Sequence, residues 1–427
     1  VKVCVVGLWH LGTVTAACLA SGGHDVAGLD SDAGVITNLS SARAPLFEPG
    51  LDDLLDAGLR AGRLHFTSDP AEGLRDAEIV WITFDTPVDA DDRADVDFVR
   101  TSVEELLPHV KRGALVVVSS QVPVGTTRKL EEAAEGRGVS FAYSPENLRL
   151  GKAIEVFTHP DRVVVGVRCE ADRKRIEQLL APFTDRIESM SVESAEMTKH
   201  ALNAFLALSV TFINEIAAIC ERVGADAKEV ERGLKTEKRI GPGAYLGPGG
   251  AFAGGTLARD IVFLSELGEK LDLPTHVIAA VKTSNDAHRA WAKRRLQDLL
   301  GGLRDRRIAV WGLTYKPGTD TLRRSSAIEL VEWLLSEGAV VAAHDPAVHS
   351  LPVPLAGRVQ LRSDAREAAK EADALVVMTE WPEYREIDGA SVAAALHGKL
   401  VLDANRFLAK QLSGVNGLRY VTVGRAV

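Results

Sequence analysis

Short β-branched runs alternate with helix-length stretches over the first 168 residues, and this alternation limits what the chain can fold into more than any other feature. The runs fall at 1–6, 25–29, 79–83, 115–119, 140–143 and 162–167, with helical patterns over 11–21, 51–61, 98–108 and 127–136 between several of them. Parallel strands need crossover connections, so the alternation closes as a mostly parallel sheet with helices on both faces. Strand signals return after Gly301-Gly302, at 307–311, 340–344, 374–378 and 399–402, with a helix over 325–337. Between the two stretches, residues 194–223 read as one long helix that Gly224 closes, followed by helices over 226–235, 257–269 and 275–299. The expected fold class is α/β: two Rossmann-like doubly wound domains joined by a long central helix and a small helical domain. The expected boundaries are 1–193, 194–300 and 301–427, and no sequence repeat is visible.

The apolar positions of the long helix (Met197, Ala201, Leu202, Phe205, Leu208, Phe212, Ile213, Ile216 and Ile219) cover most of its circumference. Asn203, Asn214 and Glu215 interrupt it, so a helix buried among other helices fits better than a membrane span. A helix this apolar needs partners on every side, which predicts a homodimer through it. The net charge of −9 argues against nucleic acid or an anionic membrane as the main partner, so a phosphorylated ligand needs local cations. Cys4, Cys18, Cys169 and Cys220 have no metal or disulfide spacing and each sits in an apolar stretch. Buried reduced thiols, no metal site and a cytoplasmic location are expected, since the chain opens on a strand-like run and not on a signal peptide.

Gly7-Leu-Trp-His-Leu-Gly12 follows the first strand and opens the first helix, and Asp30 ends the second strand. A dinucleotide turn has this context: a tight bend, a helix N-terminus for pyrophosphate and a carboxylate for ribose hydroxyls. Trp9 stands where the close-approach glycine belongs, and an ordinary βαβ turn shares the outline. Ser31 and Asp32 follow Asp30 with no Arg to receive a 2′-phosphate, so NAD is expected over NADP. Thr86-Pro87 and Ser120-Gln121 sit at carboxyl ends of strands, where open α/β sheets bind ligands.

Further motifs run through the chain in order. They are Ser144-Pro-Glu-Asn-Leu-Arg-Leu-Gly151, Thr158-His-Pro-Asp-Arg162, Ala195-Glu-Met-Thr-Lys-His-Ala-Leu-Asn203, Lys238-Arg-Ile-Gly241 and a glycine-rich loop at 241–255 running into Thr256, Arg259 and Asp260. Trp311-Gly-Leu-Thr-Tyr-Lys316, Leu322-Arg323 and Asp403-Ala-Asn-Arg406 complete the set. Together they resemble the UDP-glucose/GDP-mannose dehydrogenase family, most of all bacterial UDP-glucose 6-dehydrogenases. The resemblance implies NAD-dependent oxidation of a nucleotide sugar at C6, alcohol to aldehyde to acid, with a UDP-hexose as the expected substrate. It implies a cofactor site of Gly7, Trp9, His10, Leu11, Gly12, Asp30, Thr86, Pro87, Ser120, Gln121, Arg259 and Arg323. It implies a substrate site of Asn147, Leu148, Arg149, Arg239, Tyr245, Phe252, Gly254, Lys316 and Arg406.

Lys199 and Asn203 are four apart on one helix face and can converge on one oxygen. A structural salt bridge from Lys199 to Glu146 or Asp260 would explain the same residues. Glu146 and Asp260 are candidate proton-transfer or water-orienting carboxylates. In the family the resemblance names, a Cys thiolate follows the glycines and captures the aldehyde; here that position is Thr256, whose hydroxyl is far less acidic. Ala258, Arg259 and Leu150 depart from the family pattern as well. Three functions stay open: an altered or incomplete dehydrogenase, a non-catalytic nucleotide-sugar or NAD-binding homologue, and an epimerase that uses NAD transiently.

Overall fold

The computed structural model describes residues 1–87, 95–146, 148–253 and 255–426. The chain divides into two compact units, Val1–Leu202 and Asn203–Val427.

In the first unit the strands are β1 (Lys2–Val6), β2 (Asp25–Leu29), β3 (Leu64–Thr67), β4 (Ile79–Ile82), β5 (Leu115–Val118), β6 (Ser140–Tyr143), β7 (Val163–Gly166) and β8 (Ile187–Met190). They form one sheet in the order β3-β2-β1-β4-β5-β6-β7-β8, parallel throughout except between β6 and β7. Alternate residues of β1 enter opposite cores: Val3 and Val5 pack on one face, Cys4 and Val6 on the other. That two-sided burial is why the strand reads as a continuous apolar run. The first helix, His10–Ser21, is buried from Gly12 to Ala20, which only a stretch rich in Gly, Ala, Thr and Cys permits at such close range.

In the second unit the strands are β9 (Arg307–Trp311), β10 (Val340–His344), β11 (Val359–Leu361), β12 (Ala374–Val377), β13 (Leu400–Asp403) and β14 (Arg419–Val421). Their order is β11-β10-β9-β12-β13-β14, all parallel. Ile308 and Val310 point into one core, Ala309 and Trp311 into the other. The α/β doubly wound class expected from the sequence is the class observed.

Three expectations need correction. The strands β3, β8, β11 and β14 were not expected. All four are sheet edges with exposed or half-buried positions, so they lack the two-sided apolar run that marks an interior strand. The single helix expected over 275–299 is two, His276–Arg289 and Trp291–Leu300, broken at Ala290. The break brings Trp291 into the core, with its indole N–H donating to Glu221 at 2.9 Å. Cys4, Cys18 and Cys220 are buried as expected, but Cys169 is exposed, since it caps a surface helix.

The central helix, Val192–Val223, is the one helix among the described residues that is long and apolar enough to cross a bilayer. It nevertheless buries Glu196, Lys199, Asn203 and Asn214, each with a protein partner.

Candidate active site

The turn after β1 is built for close approach. Gly7 has φ +89°, and a Cβ there would collide with Phe84. A Cβ on Gly12 would sit 1.9 Å from the Gly7 carbonyl oxygen, so the helix can start against the strand end only with glycine at that position. Trp9 is the N-cap and is exposed, and its side chain gives the first helical turn no hydrogen bond. Leu11 lies in that first turn. His10 is committed elsewhere: its Nε2 lies 3.0 Å from the buried Glu48 carboxylate, which also accepts the Gly151 and Ala153 N–H groups. Burial alone would raise the Glu48 carboxyl, but these hydrogen bonds together hold it below the ordinary range.

Asp30, at the end of β2, accepts the Leu8 N–H at 2.7 Å and the Asp32 N–H at 3.0 Å. It is only half-buried, so acceptor capacity remains for a diol. The second unit repeats this device with a different outcome. Gly312, φ +86°, follows β9, and Asp345 follows β10 and accepts the Leu313 N–H at 2.7 Å. Asp345 is buried and also accepts from the Thr314 N–H and hydroxyl, the Trp381 indole and the Ala347 N–H. Four of these bonds fall on Oδ2 and one on Oδ1. The half-buried Asp30, with one such bond on each oxygen, is the better fit to a dinucleotide ribose.

At the carboxyl ends of β4 and β5 the Thr86 hydroxyl donates to the Gln121 carbonyl at 2.8 Å, and the Ser120 hydroxyl to the Phe84 carbonyl at 2.8 Å. The loops expected to touch cofactor are thus tied to each other, with Pro87 next to Thr86.

Two polar pairs hang on the central helix one turn apart. In the first unit the Lys199 ammonium donates to the Glu146 backbone carbonyl, and the Glu146 carboxyl accepts the Leu148 N–H. Burial pushes the Glu146 carboxyl above the ordinary carboxylate range, against the opposing pull of Lys199. In the second unit the Asn203 amide donates to Asp260, which is fully buried. Thr256 is exposed and is the first residue of the helix Thr256–Lys270, which Gly255 enters at φ 107° and ψ −135°, a conformation reserved for glycine. Arg259 lies in the first turn of that helix, half-buried.

The glycine-rich loop is held by side chains that sequence reasoning did not single out. Asn285 clamps Phe252 from both sides, accepting its N–H at 3.0 Å and donating to its carbonyl at 2.9 Å. Asn214 accepts the Gly249 N–H at 3.0 Å, His288 Nε2 lies 2.8 Å from the Gly249 carbonyl, and Asn405 accepts the Gly250 N–H at 2.6 Å. Asn285 and His288 lie in no motif; Asn405 falls inside Asp403-Ala-Asn-Arg406 and Asn214 interrupts the central helix, but nothing local marks their hold on the loop, because each bond is to backbone.

The remaining expected substrate residues are scattered in their commitments. Tyr245 is exposed, and the exposed Arg239 pairs with Glu237. Leu148 packs on the core while Arg149 is exposed. Lys316 is half-buried, and Arg323, expected at the cofactor, is exposed. Arg406 is turned onto Asp226 in a bidentate pair at 2.7 and 3.1 Å. Asn147 and Gly254 lie outside the described residues. Among the described residues no cluster of His, Cys, Asp and Glu has metal-binding geometry.

Three family models match in sequence order. The NAD binding domain of the UDP-glucose/GDP-mannose dehydrogenase family matches residues 1–184, its central domain 193–287 and its UDP binding domain 309–410. The chain belongs to the UDP-glucose/GDP-mannose dehydrogenase family. As a member it is an NAD-dependent dehydrogenase of nucleotide sugars, and the first-unit turn is the one whose residues fit NAD. UDP-glucose 6-dehydrogenase from Rhizobium meliloti (strain 1021) is 35% identical over 441 residues, covering 99% of both chains. The Pseudomonas aeruginosa UDP-glucose 6-dehydrogenase is 35% identical over 442 residues, 99% of this chain and 97% of that one. A solved UDP-glucose dehydrogenase from Pyrobaculum islandicum superposes with a TM-score of 0.86 at 32% identity, covering 100% of this chain and 98% of that one.

Proposed function

We propose that the chain oxidises the C6 hydroxyl of a UDP-hexose, and that its first oxidation, alcohol to aldehyde, is the more proficient one. Relatives named UDP-glucose 6-dehydrogenase that align over essentially their whole length support the substrate class. The observation that carries the rest is Thr256 at the head of its helix, after the glycine-rich loop. NAD supplies the hydride acceptor. Asp30 holds the adenosine ribose, and Gly7 and Gly12 let the helix N-terminus face pyrophosphate. Lys199 and Asn203, one turn apart on the same helix, hold the C6 oxygen and stabilise negative charge on it. Asp260 keeps Asn203 oriented, and Glu146, with its raised affinity for protons, takes the hydroxyl proton or orients water.

A thiolate at position 256 would capture the aldehyde and leave a thioester that water cleaves. Thr256 offers a hydroxyl that ionises several units higher and carries a hindering methyl. The covalent route is therefore the disfavoured step, and any acid formed arises from the aldehyde hydrate. We also propose a cytoplasmic homodimer assembled through the central helix, whose exposed apolar stripe supports the assembly. The test of the activity is NADH formed per sugar consumed, across UDP- and GDP-hexoses. One per sugar supports the reading, two restores a complete double oxidation, and none with tight sugar-nucleotide binding favours a binding protein or an epimerase.

A further inference from the structure

The carboxyl edge of the second sheet is where an open α/β sheet receives its ligand, and the crevice forms where strand order reverses. In this sheet the reversal lies between β9 and β12, with β13 next in order. Glu380 follows β12 and Asn405 follows β13, so both stand at that edge. The match to the family's UDP binding domain, 309–410, includes both.

The segment 403–406 is rigid. Asp403 accepts the Phe407 and Leu408 N–H groups and the Tyr420 hydroxyl, the last at 2.6 Å. Arg406 is pinned to Asp226, the N-cap of the helix Ala227–Thr236. Between these anchors Asn405 reaches the glycine-rich loop. Its side chain stands at the ligand edge, and its oxygen accepts the Gly250 N–H at 2.6 Å. A Cβ on Gly249 would sit 2.2 Å from that same oxygen, so the loop can approach Asn405 only because residue 249 is glycine. Gly249, Gly250 and Phe252 are held in turn by Asn214, His288 and Asn285. Four residues beyond Phe252 the chain reaches Thr256. A hydrogen bond thus ties Asn405, at the ligand edge, to the loop that leads to Thr256.

We propose that Asn405 is a positioning residue that couples occupancy of the nucleotide edge to the conformation of the glycine-rich loop, so that a bound nucleoside diphosphate orders the loop before the sugar reacts. The proposal rests on the functional reading above. Its physical sense is that binding energy from the non-reacting nucleotide is used to orient the reacting carbon. Asn405 is itself the sensing end: it stands at the ligand edge, so a ligand there acts directly on its bond to the Gly250 N–H.

The experiment is amide hydrogen exchange of residues 246–256 in the full-length protein, with and without free UDP, in wild type and in Asn405→Ala. Asn405 is exposed, so its truncation opens no core cavity; an unchanged melting temperature confirms the variant's fold. UDP should slow exchange in the wild-type loop. In Asn405→Ala UDP should still bind, by calorimetry, but leave loop exchange unchanged, with kcat for NAD reduction about tenfold lower and KM for the sugar nucleotide changed less, as loss of one oriented hydrogen bond implies. Equal protection of the loop in both proteins overturns the proposal, and so does a wild-type loop that UDP binding leaves unprotected. If UDP protects the loop only when Asn405 is present, yet no UDP-hexose reduces NAD, the coupling stands and the dehydrogenase reading falls.

Discussion

At the scale of single residues, the decisive exchange is a hydroxyl where a thiol would capture an aldehyde. Thr256 is exposed at the head of its helix, so Thr256→Cys changes chemistry without repacking a core. The variant should form acid from supplied UDP-hexose aldehyde about ten- to a hundredfold faster than wild type, while oxidation of the alcohol changes little. Acid formation that is equally fast in both proteins would show that the hydrate route already suffices. The paired carboxylates and amides around this chemistry were legible because they sit in motifs and at helical spacing: Lys199 and Asn203 one turn apart, Glu146 just after a strand end. The loop-holding roles of Asn285, His288 and Asn405 were not, although Asn405 lies inside the Asp403-Ala-Asn-Arg406 motif. These residues hold loop backbone across separations of 33, 39 and 155 residues, and a side chain that serves another segment's peptide groups leaves no local pattern. Arg406 was legible as a cation, but its bidentate hold on Asp226 depends on how a distant helix is capped.

At the scale of elements, interior strands announce themselves and edge strands do not. Residues 115–118 are four buried β-branched or leucine positions, whereas β8 has no fully buried residue and β3 mixes an exposed His65 with buried ends. The start of the central helix shows how polar chemistry fixes an element that apolar content alone would leave sliding. Arg168 forks onto both Glu131, on the helix Thr126–Ala133, and Glu193, in the first turn of the central helix, with Arg128 adding two further bonds to Glu193. The Arg168 hydrogen bonds lower the Glu193 carboxyl from 4.5 to about 2. The folded value lies below the unfolded one, so the stabilisation is present above pH 4.5 and is lost as pH falls toward about 2. The side chain is a quarter exposed, and solvent screening cuts the contribution to about 1–2 kcal/mol. Urea unfolding should therefore place Glu193→Gln about 1–2 kcal/mol below wild type at pH 7, with the gap narrowing steadily below pH 4.5. A gap that stays constant down to pH 3 would remove the ion pair as its cause.

For the whole molecule, the sequence concealed a repeat and overstated a circumference. The two sheets share the order of their central strands and the same turn, Gly7-Leu8 with Asp30 and Gly312-Leu313 with Asp345. The repeat is one of backbone and two residue types, too sparse to see along the chain. The central helix, which by composition looked apolar on every side, buries Ala207, Ile213 and Ala217 but leaves Phe205, Phe212 and Ile219 at 65%, 46% and 58% exposure. These three are seven residues apart, so they line one face, with Val223 one turn beyond Ile219. A heptad-spaced stripe suits packing against another helix, and the same stripe on a second copy is self-complementary about a two-fold axis. Each aromatic removed from water there contributes roughly 1.5–3 kcal/mol, and a two-fold axis doubles every such contact. Wild type should therefore sediment as a dimer at micromolar concentration. Phe212→Asp, which places two carboxylates in the middle of the stripe, should sediment as a monomer while its free-UDP affinity stays within a few-fold, since Phe212 is far in sequence from the 309–410 segment. A wild-type monomer at that concentration would remove the dimer, and a Phe212→Asp variant that remains fully dimeric would place the assembly surface elsewhere; either leaves the exposed stripe unexplained.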